Sequence, residues 1–262
     1  MQIIDFHTHI YPDAIAHKAA QSIRDFYNIG KENMDGTVDL LLECCRDTDI
    51  SRCVVLPVAL RPDRVVAINN FIVEQAKIYP QFTGFGTVHA SMENLPDEAQ
   101  RIIDLGLHGV KMHPDHQEFP IDDPLLFPFY EIMQSKLPVI LHMGDRHYDY
   151  SHPRRLRKVL DQFPNLQVIA AHFGGYSMYE TAFECLHDKD CFFDISSSIM
   201  FMEKGVAEYY INRYGAEKML FGSDFPLWDP RDEVKTFLDL DLTMTQFEQI
   251  AYKNALHVLK ED

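Results

Sequence analysis

The chain is short of positive charge. It carries 24 Lys and Arg against 40 Asp and Glu, a formal net charge of −16. Such a surface repels phosphate backbones and anionic lipid headgroups, so neither nucleic acid nor membrane is the expected partner. No apolar run approaches the roughly 20 residues that span a bilayer, and no basic stretch followed by an apolar core marks a secretory leader. Cysteine is sparse: Cys44, Cys45, Cys53, Cys185 and Cys191 are odd in number, scattered and without a CxxC pair. That pattern indicates neither a disulfide framework nor a zinc ribbon, and a reducing cytoplasm is the expected compartment. Linkers, low-complexity segments and charge runs are also missing, which leaves residues 1–262 as one domain. The first turn, His-Thr-His-Ile-Tyr-Pro, has no glycine, unlike the glycine-rich first turn of a doubly wound open sheet.

What the chain has instead is histidine, thirteen in all. The run Ile3-Ile4-Asp5-Phe6-His7-Thr8-His9 is a short apolar strand ending in His-x-His. Residues two apart on a strand share a face, so His7 and His9 project the same way, roughly 6–7 Å apart at Cα. Two neutral imidazoles on one rigid element can chelate a divalent ion; the plain alternative is a pair of packed or surface histidines. Asp5 falls on the same alternation. It is a candidate to orient their rings, or to pair with a lysine such as Lys111.

Seven further strand-like runs follow, at 53–58, 82–88, 109–113, 138–142, 167–172, 191–195 and 219–222. Each precedes a helical pattern, at 63–79, 96–105, 123–135, 153–163, 177–187, 203–214 and 231–239, and the first strand is followed by helices at 14–27 and about 38–48. The strands are continuous apolar runs rather than alternating ones, as in a parallel sheet covered on both faces. Eight βα units in about 240 residues predict a (β/α)8 barrel. A further helix from Thr245 carries one apolar stripe (Phe247, Ile250, Ala251, Ala255, Val258, Leu259), with Thr245 and Glu248 fitting a capping box. It is expected to cover the outside or bottom of the barrel, or an oligomer contact.

Barrels of this kind work at the C-terminal ends of their strands. Those ends carry His7 and His9, His89, Lys111 and His113, His142, His172, Asp194 and Ser196, and Asp224. One such histidine is ordinarily a packed or capping residue. Five of eight strands ending in His or Asp converge on one spot if the barrel closes.

In this ordered set the chain resembles the amidohydrolase superfamily of metal-dependent barrels. Within that it is similar to the branch with aminocarboxymuconate-semialdehyde decarboxylase, dihydroxybenzoate and related decarboxylases, and pyrone-dicarboxylate lactonase. The matching runs are Ile4-Asp5-Phe6-His7-Thr8-His9, Gly109-Val110-Lys111-Met112-His113-Pro114, Pro138-Val139-Ile140-Leu141-His142-Met143-Gly144, Ala171-His172-Phe173-Gly174-Gly175, Phe193-Asp194-Ile195-Ser196 and Leu220-Phe221-Gly222-Ser223-Asp224-Phe225-Pro226. Asn254-Ala255 also fits, with His257 where the family often has arginine. The resemblance implies that His7, His9, His142 and Asp224 bind one divalent ion, zinc foremost and manganese next. It makes His172 an acid/base group beside the ion, with Asp224 also handling a proton. Lys111 stands where binuclear members carry a carboxylated, bridging lysine, although in this branch the lysine can be present without bridging. TatD-like nucleases, a rival barrel of similar length, usually have glutamate there. A homodimer is implied as well.

The expected function is metal-dependent hydrolysis of a small amide, lactone or ring carboxylate through activated water. Compactness favours hydrolysis over the alternative, non-oxidative decarboxylation of an unsaturated or aromatic acid. A barrel that binds a metabolite without turnover is the third class. Arg61 and Arg146 are candidates for a substrate carboxylate, or for salt bridges with Asp63 and Asp145. Tyr148, Phe173, Tyr176, Phe225 and Trp228 are candidates to wall the pocket, or to pack their own loops.

Overall fold

The computed structural model describes residues 2–29 and 34–261. Strands β1 (Ile3–Thr8), β2 (Ile50–Val55) and β3 (Phe82–Gly84) pair in parallel. So do β4 (Gly86–Thr87), β5 (Val110–Met112), β6 (Val139–Leu141), β7 (Val168–Ala170), β8 (Phe192–Asp194) and β9 (Met219–Leu220). β3 and β4 are halves of one expected strand, divided at Phe85. The backbone bonds Phe85 N to Val55 O (3.1 Å) and His108 N to Gly84 O (2.9 Å) keep both neighbours attached. At the other seam Phe6 N donates to Phe221 O (2.8 Å), Asp224 N to His7 O and His9 N to Phe225 O (both 2.7 Å). The eight staves thus run around a (β/α)8 barrel.

The apolar strand runs divide by parity. Ile4, Phe6, Val54, Leu56, Phe85, Ile140, Ile169 and Leu220 fill the barrel's interior. Cys53, Val55, Met112, Val139, Leu141, Val168 and Ala170 belong to a separate cluster shared with the helices. Both faces are buried, and this is why the sequence shows no alternation.

Helices α1 (Asp13–Tyr27), α2 (Val38–Arg46), α3 (Val65–Ile78), α4 (Leu95–Asp104), α5 (Pro114–Gln117), α6 (Phe127–Met133), α7 (Pro153–Gln162), α8 (Tyr179–Leu186), α9 (Val206–Tyr214) and α10 (Pro230–Leu238) form the connections. Short α5 has no counterpart in the sequence reading. Pro114 opens it and the His113 side chain caps it. The last segment comprises α11 (Met244–Glu248), a π-helical turn and α12 (Asn254–Leu259). Its capping box is Thr243 with Gln246, not Thr245 with Glu248. Both pairs satisfy the sequence pattern, and the box forms where the chain leaves extended backbone, at Thr243. Ala255, Val258 and Leu259 pack into the interior cluster, so this helix closes the barrel floor. None of the helices in the described residues is long and apolar enough to cross a membrane.

Candidate active site

β1 holds a bulge that decides where its side chains go. Asp5 lies opposite Cys53 and Thr8 opposite Val55, so three steps of β1 match two of β2. An extra residue re-aims the side chains around it. Phe6 joins the interior cluster, and His7, its neighbour, also turns inward. The expectation that Asp5 shares a face with His7 is therefore corrected. Its Oδ1 accepts from the backbone N–H of His7 (3.1 Å) and Ser223 (2.9 Å). Among the described residues it makes no ion pair with a lysine and no hydrogen bond to either ring. Opposite His7 the backbone comes close: a Cβ at Gly222 would meet that of His7 at 2.8 Å.

The group that orients His7 is Asp194. His7 Nδ1 donates to Asp194 Oδ2 (2.8 Å), while Asp194 Oδ1 accepts from His172 N (3.1 Å), Ser196 N (3.1 Å) and Ser196 Oγ (2.6 Å). Burial opposes its ionised form, yet these donors outweigh burial and hold its carboxyl well below the usual carboxylate range. The sequence marks Asp194 as a strand-end residue only. Its partners His7 and His172 lie far away in the chain, so no local spacing reveals the role.

Each of four histidines turns one nitrogen to an oxygen acceptor. His7 uses Asp194, and His9 Nδ1 uses Leu56 O (2.5 Å). His142 Nε2 uses Gly144 O (2.9 Å), and His172 Nδ1 uses Ser196 O (3.0 Å). These acceptors assign the ring proton to that nitrogen and leave the other bare. Burial keeps His7 neutral, lowering it to about 4, and holds His142 well below its ordinary value. The bare nitrogens then meet like partners. His7 Nε2 and His9 Nε2 stand 3.4 Å and 3.3 Å from Asp224 Oδ1, and His142 Nδ1 stands 3.0 Å from His172 Nε2. Lone pairs aimed at one another or at a carboxylate require a cation between them. Lys111, expected on this strand, supplies one: its Nζ is 3.1 Å from His7 Nε2. Burial lowers it to about 8. The pairs His9–Asp224 and His142–His172 have no such cation among the described residues. This donor set fits a divalent ion, with His7, His9 and Asp224 clustered tightly enough to share it.

Asp224 keeps its charge. Burial opposes it, but attraction to the imidazole cluster, the place a divalent ion would take, holds its carboxyl well below the usual range. Its Oδ2 accepts from Ser197 Oγ, which in turn accepts from Trp228 Nε1 (2.8 Å). Asp224, His172 and Ser197 all sit in left-handed backbone (φ 61°, 59° and 50°). Such conformations are rare without glycine and cluster at functional sites.

These groups floor a cavity of about 700 Å³. Its upper walls are largely apolar, from Ile10, Ile15, Ile23, Ile68, Phe71 and Leu227, with Tyr27, Tyr176 and Trp228 adding aromatic surface. Of the five aromatics expected in the wall, only Tyr176 and Trp228 line it. Phe173 and Phe225 are fully buried in the core, and Tyr148 lies outside, stacked on Phe26 and Tyr150. His89 also stays out, accepting from Ser91 N (3.2 Å) and packing on Phe119. Arg61 does line the cavity but makes two bonds to Asp63 (2.9 and 3.0 Å), and Arg146, outside the lining, bonds Ser177 Oγ (3.2 Å) rather than Asp145. Tyr27 and His116 line the cavity unannounced by any sequence signal. Tyr27 ends a helix whose periodicity says nothing of what its tip reaches.

Comparison with known proteins agrees with this architecture. A family model described as amidohydrolase matches residues 4–260. An uncharacterised TIM-barrel protein from Bordetella bronchiseptica is 22% identical, with a TM-score of 0.79 over 100% of this chain and 99% of that one. The 2,6-dihydroxybenzoate decarboxylase from Rhizobium is 16% identical, TM-score 0.77, over 99% of each chain. Dihydroxybenzoic acid decarboxylase from Polaromonas sp. JS666, solved with manganese and the inhibitor 2-nitroresorcinol, is 16% identical, TM-score 0.76, over 99% of this chain and 97% of that one. None of the curated proteins matches the chain by sequence. With its family model spanning nearly the whole chain, the protein belongs to the amidohydrolase family.

Proposed function

We propose that the chain is a divalent-metal-dependent decarboxylase of a small aromatic carboxylic acid. The observation that carries this is one cavity with two textures: a floor of bare imidazole nitrogens and one ionised carboxylate, beneath walls of Ile, Phe, Tyr and Trp. An aromatic ring suits the walls, and a carboxylate suits a floor that would hold a divalent cation. Structural neighbours whose descriptions name aromatic-acid decarboxylases support the choice. Hydrolysis loses the support of compactness, since the alignment with the Rhizobium decarboxylase runs over 99% of that chain.

His7, His9, His142 and Asp224 would hold the ion. When bound, zinc or manganese supplies a Lewis acid toward a substrate oxygen. The chain's own residues supply the rest. Asp194 fixes the His7 ring, and the carbonyls of Leu56, Gly144 and Ser196 fix the others. The apolar walls exclude water from a ring carbon that must accept a proton. His172 presents Nε2 to the floor while Nδ1 stays on Ser196 O. Once protonated at Nε2, it delivers that proton to the ring carbon as the bond to the carboxylate breaks. Carbon dioxide leaves, a C–H bond replaces C–C, and the charge balances.

The test is carbon dioxide release from hydroxybenzoates by protein reloaded with zinc or manganese, run beside aromatic lactones and amides. Release of carbon dioxide supports the reading. Ring opening or amide cleavage without it restores hydrolysis. No turnover and no metal uptake removes the enzymatic reading. His172→Ala is expected to abolish turnover with metal content unchanged. Loss of metal in that variant would make His172 a ligand instead.

A further inference from the structure

The cavity holds, beside His142, a hydroxyl whose proton has no recipient. Tyr27, the last residue of α1, places its Oη 2.8 Å from His113 Nε2 and 3.0 Å from His142 Nε2. The donors can be counted. His113 Nδ1 accepts from the backbone N–H of His116 (3.2 Å). A nitrogen that accepts carries no proton, so the ring proton of His113 sits on Nε2. That proton is donated to Tyr27 Oη. His142 Nε2 carries its proton too, because Gly144 O accepts from it at 2.9 Å. Both ring nitrogens near Tyr27 are therefore donors, and the phenol oxygen is an acceptor toward each. Its own O–H can be given to neither. Among the described residues Tyr27 has no other hydrogen-bond partner, and its side chain lines the cavity.

We propose that Tyr27 is a substrate-binding residue, whose hydroxyl donates to a carboxylate oxygen of the aromatic acid. This rests on the decarboxylase reading and extends it by naming what receives the acid group. The expected alternatives are occupied: Arg61 by Asp63, and Arg146 by Ser177. His113 and His142 are stacked face to face, with ring centroids 3.9 Å apart and an interplanar angle of 7°. They grip the phenol oxygen from one side and leave its proton toward the open space. Two N–H donors also polarise the O–H, and hydrogen bonds to a charged acceptor are the stronger kind.

The test uses zinc-loaded protein, with benzoate and phenol as probes. Benzoate keeps the carboxylate but lacks the ring hydroxyl that would activate the ring toward protonation; phenol lacks the carboxylate. Trp228 is the chain's single tryptophan and lines the same cavity, so its fluorescence reports occupancy without turnover. Tyr27→Phe keeps the ring contacts with Phe26 and Tyr176. It is expected to weaken benzoate by about tenfold or more, to shift phenol by less than about twofold, and to leave zinc content unchanged. Unchanged benzoate affinity overturns the proposal and makes Tyr27 a wall residue only. Loss of zinc also overturns it, because the hydroxyl would then be supporting His142 rather than the substrate. Failure of the unsubstituted protein to bind benzoate or phenol overturns the aromatic-acid reading itself, and that outcome appears before any variant is made.

Discussion

Four carboxyl groups lie fully or almost fully buried near the first and last strands, and they divide into two pairs. Asp194 and Asp224 sit at the cavity floor and stay ionised, held well below the usual range despite burial. Asp5 and Glu233 sit behind the strand, and burial pushes them up to about 7 and about 8. The two settings are separated by the β1 bulge. On one side are imidazoles, hydroxyls and backbone N–H groups. On the other, both oxygens of Glu233 and Oδ2 of Asp5 have no hydrogen-bond partner among the described residues. Depth is the same in both cases. The number of donors decides whether charge survives.

The largest break in this comparison is Asp224→Asn. It removes the charge that His7 and His9 share while keeping the shape. Metal content and turnover are expected to fall together, further than the about 10–100-fold typical of a residue standing behind the ligands. Metal analysis after dialysis, run beside an activity assay, checks it; full metal content with lost activity would restrict Asp224 to proton handling. Asp194→Asn comes next. An asparagine that keeps its oxygen for the N–H groups of His172 and Ser196 turns its amide NH₂ toward His7 Nδ1–H, donor against donor. Metal affinity is expected to drop by about 10–100-fold. An unchanged dissociation constant would mean that His7 needs no fixed tautomer.

Sequence and structure agree where a residue's role follows from its position on an element. Val139-Ile140-Leu141-His142 and Val168-Ile169-Ala170 ahead of His172 reveal both strand and strand end, because an apolar run that stops in histidine is local information. The C-terminal stripe of Phe247, Ile250, Ala251, Ala255, Val258 and Leu259 is legible as a buried face for the same reason. Three things were out of reach. The β1 bulge is a matter of register against β2, and period-two reading assumes none, so it places Asp5 beside His7. The division of strand three at Phe85 belongs to pairing as well. The service of Asp194 to His7, and of Tyr27 to His113 and His142, joins residues far apart in sequence, where spacing carries nothing.

The other pair gives a milder test, on stability. Glu233 titrates near 4.5 in the unfolded chain and near 8 in the folded one. Between those values the folded protein holds a proton that the unfolded chain has released, so stability falls as pH rises. Glu233→Gln removes that loss without changing the size of the side chain. The variant is expected to match the wild type near pH 4.5 and to exceed it by a few kcal/mol, as an order of magnitude, above pH 8. Urea midpoints at pH 5 and 8.5 measure the gap. A gap independent of pH would place Glu233 in water, with an ordinary carboxylate titration.

The smallest effect belongs to the charges that a sequence reader would rank first. Arg61 and Arg146 are exposed cations in strand-end loops, and a carboxylate substrate invites pairing with them. Arg61, however, already makes two bonds to Asp63, both side chains being well exposed, and ion pairs in that setting contribute about 0–1 kcal/mol. Arg146 lies near the Tyr176 ring and bonds Ser177. The double variant Arg61→Ala, Arg146→Ala is expected to change kcat/KM on an aromatic acid by less than about threefold, since a surface charge screened within a Debye length of roughly 8 Å adds little to binding at the floor. Kinetics at low and high salt separate the possibilities. A small effect that vanishes in salt is long-range attraction at the mouth. A drop above about tenfold that persists in salt would mean that one arginine leaves its present partner to meet the carboxylate, taking from Tyr27 the part assigned to it.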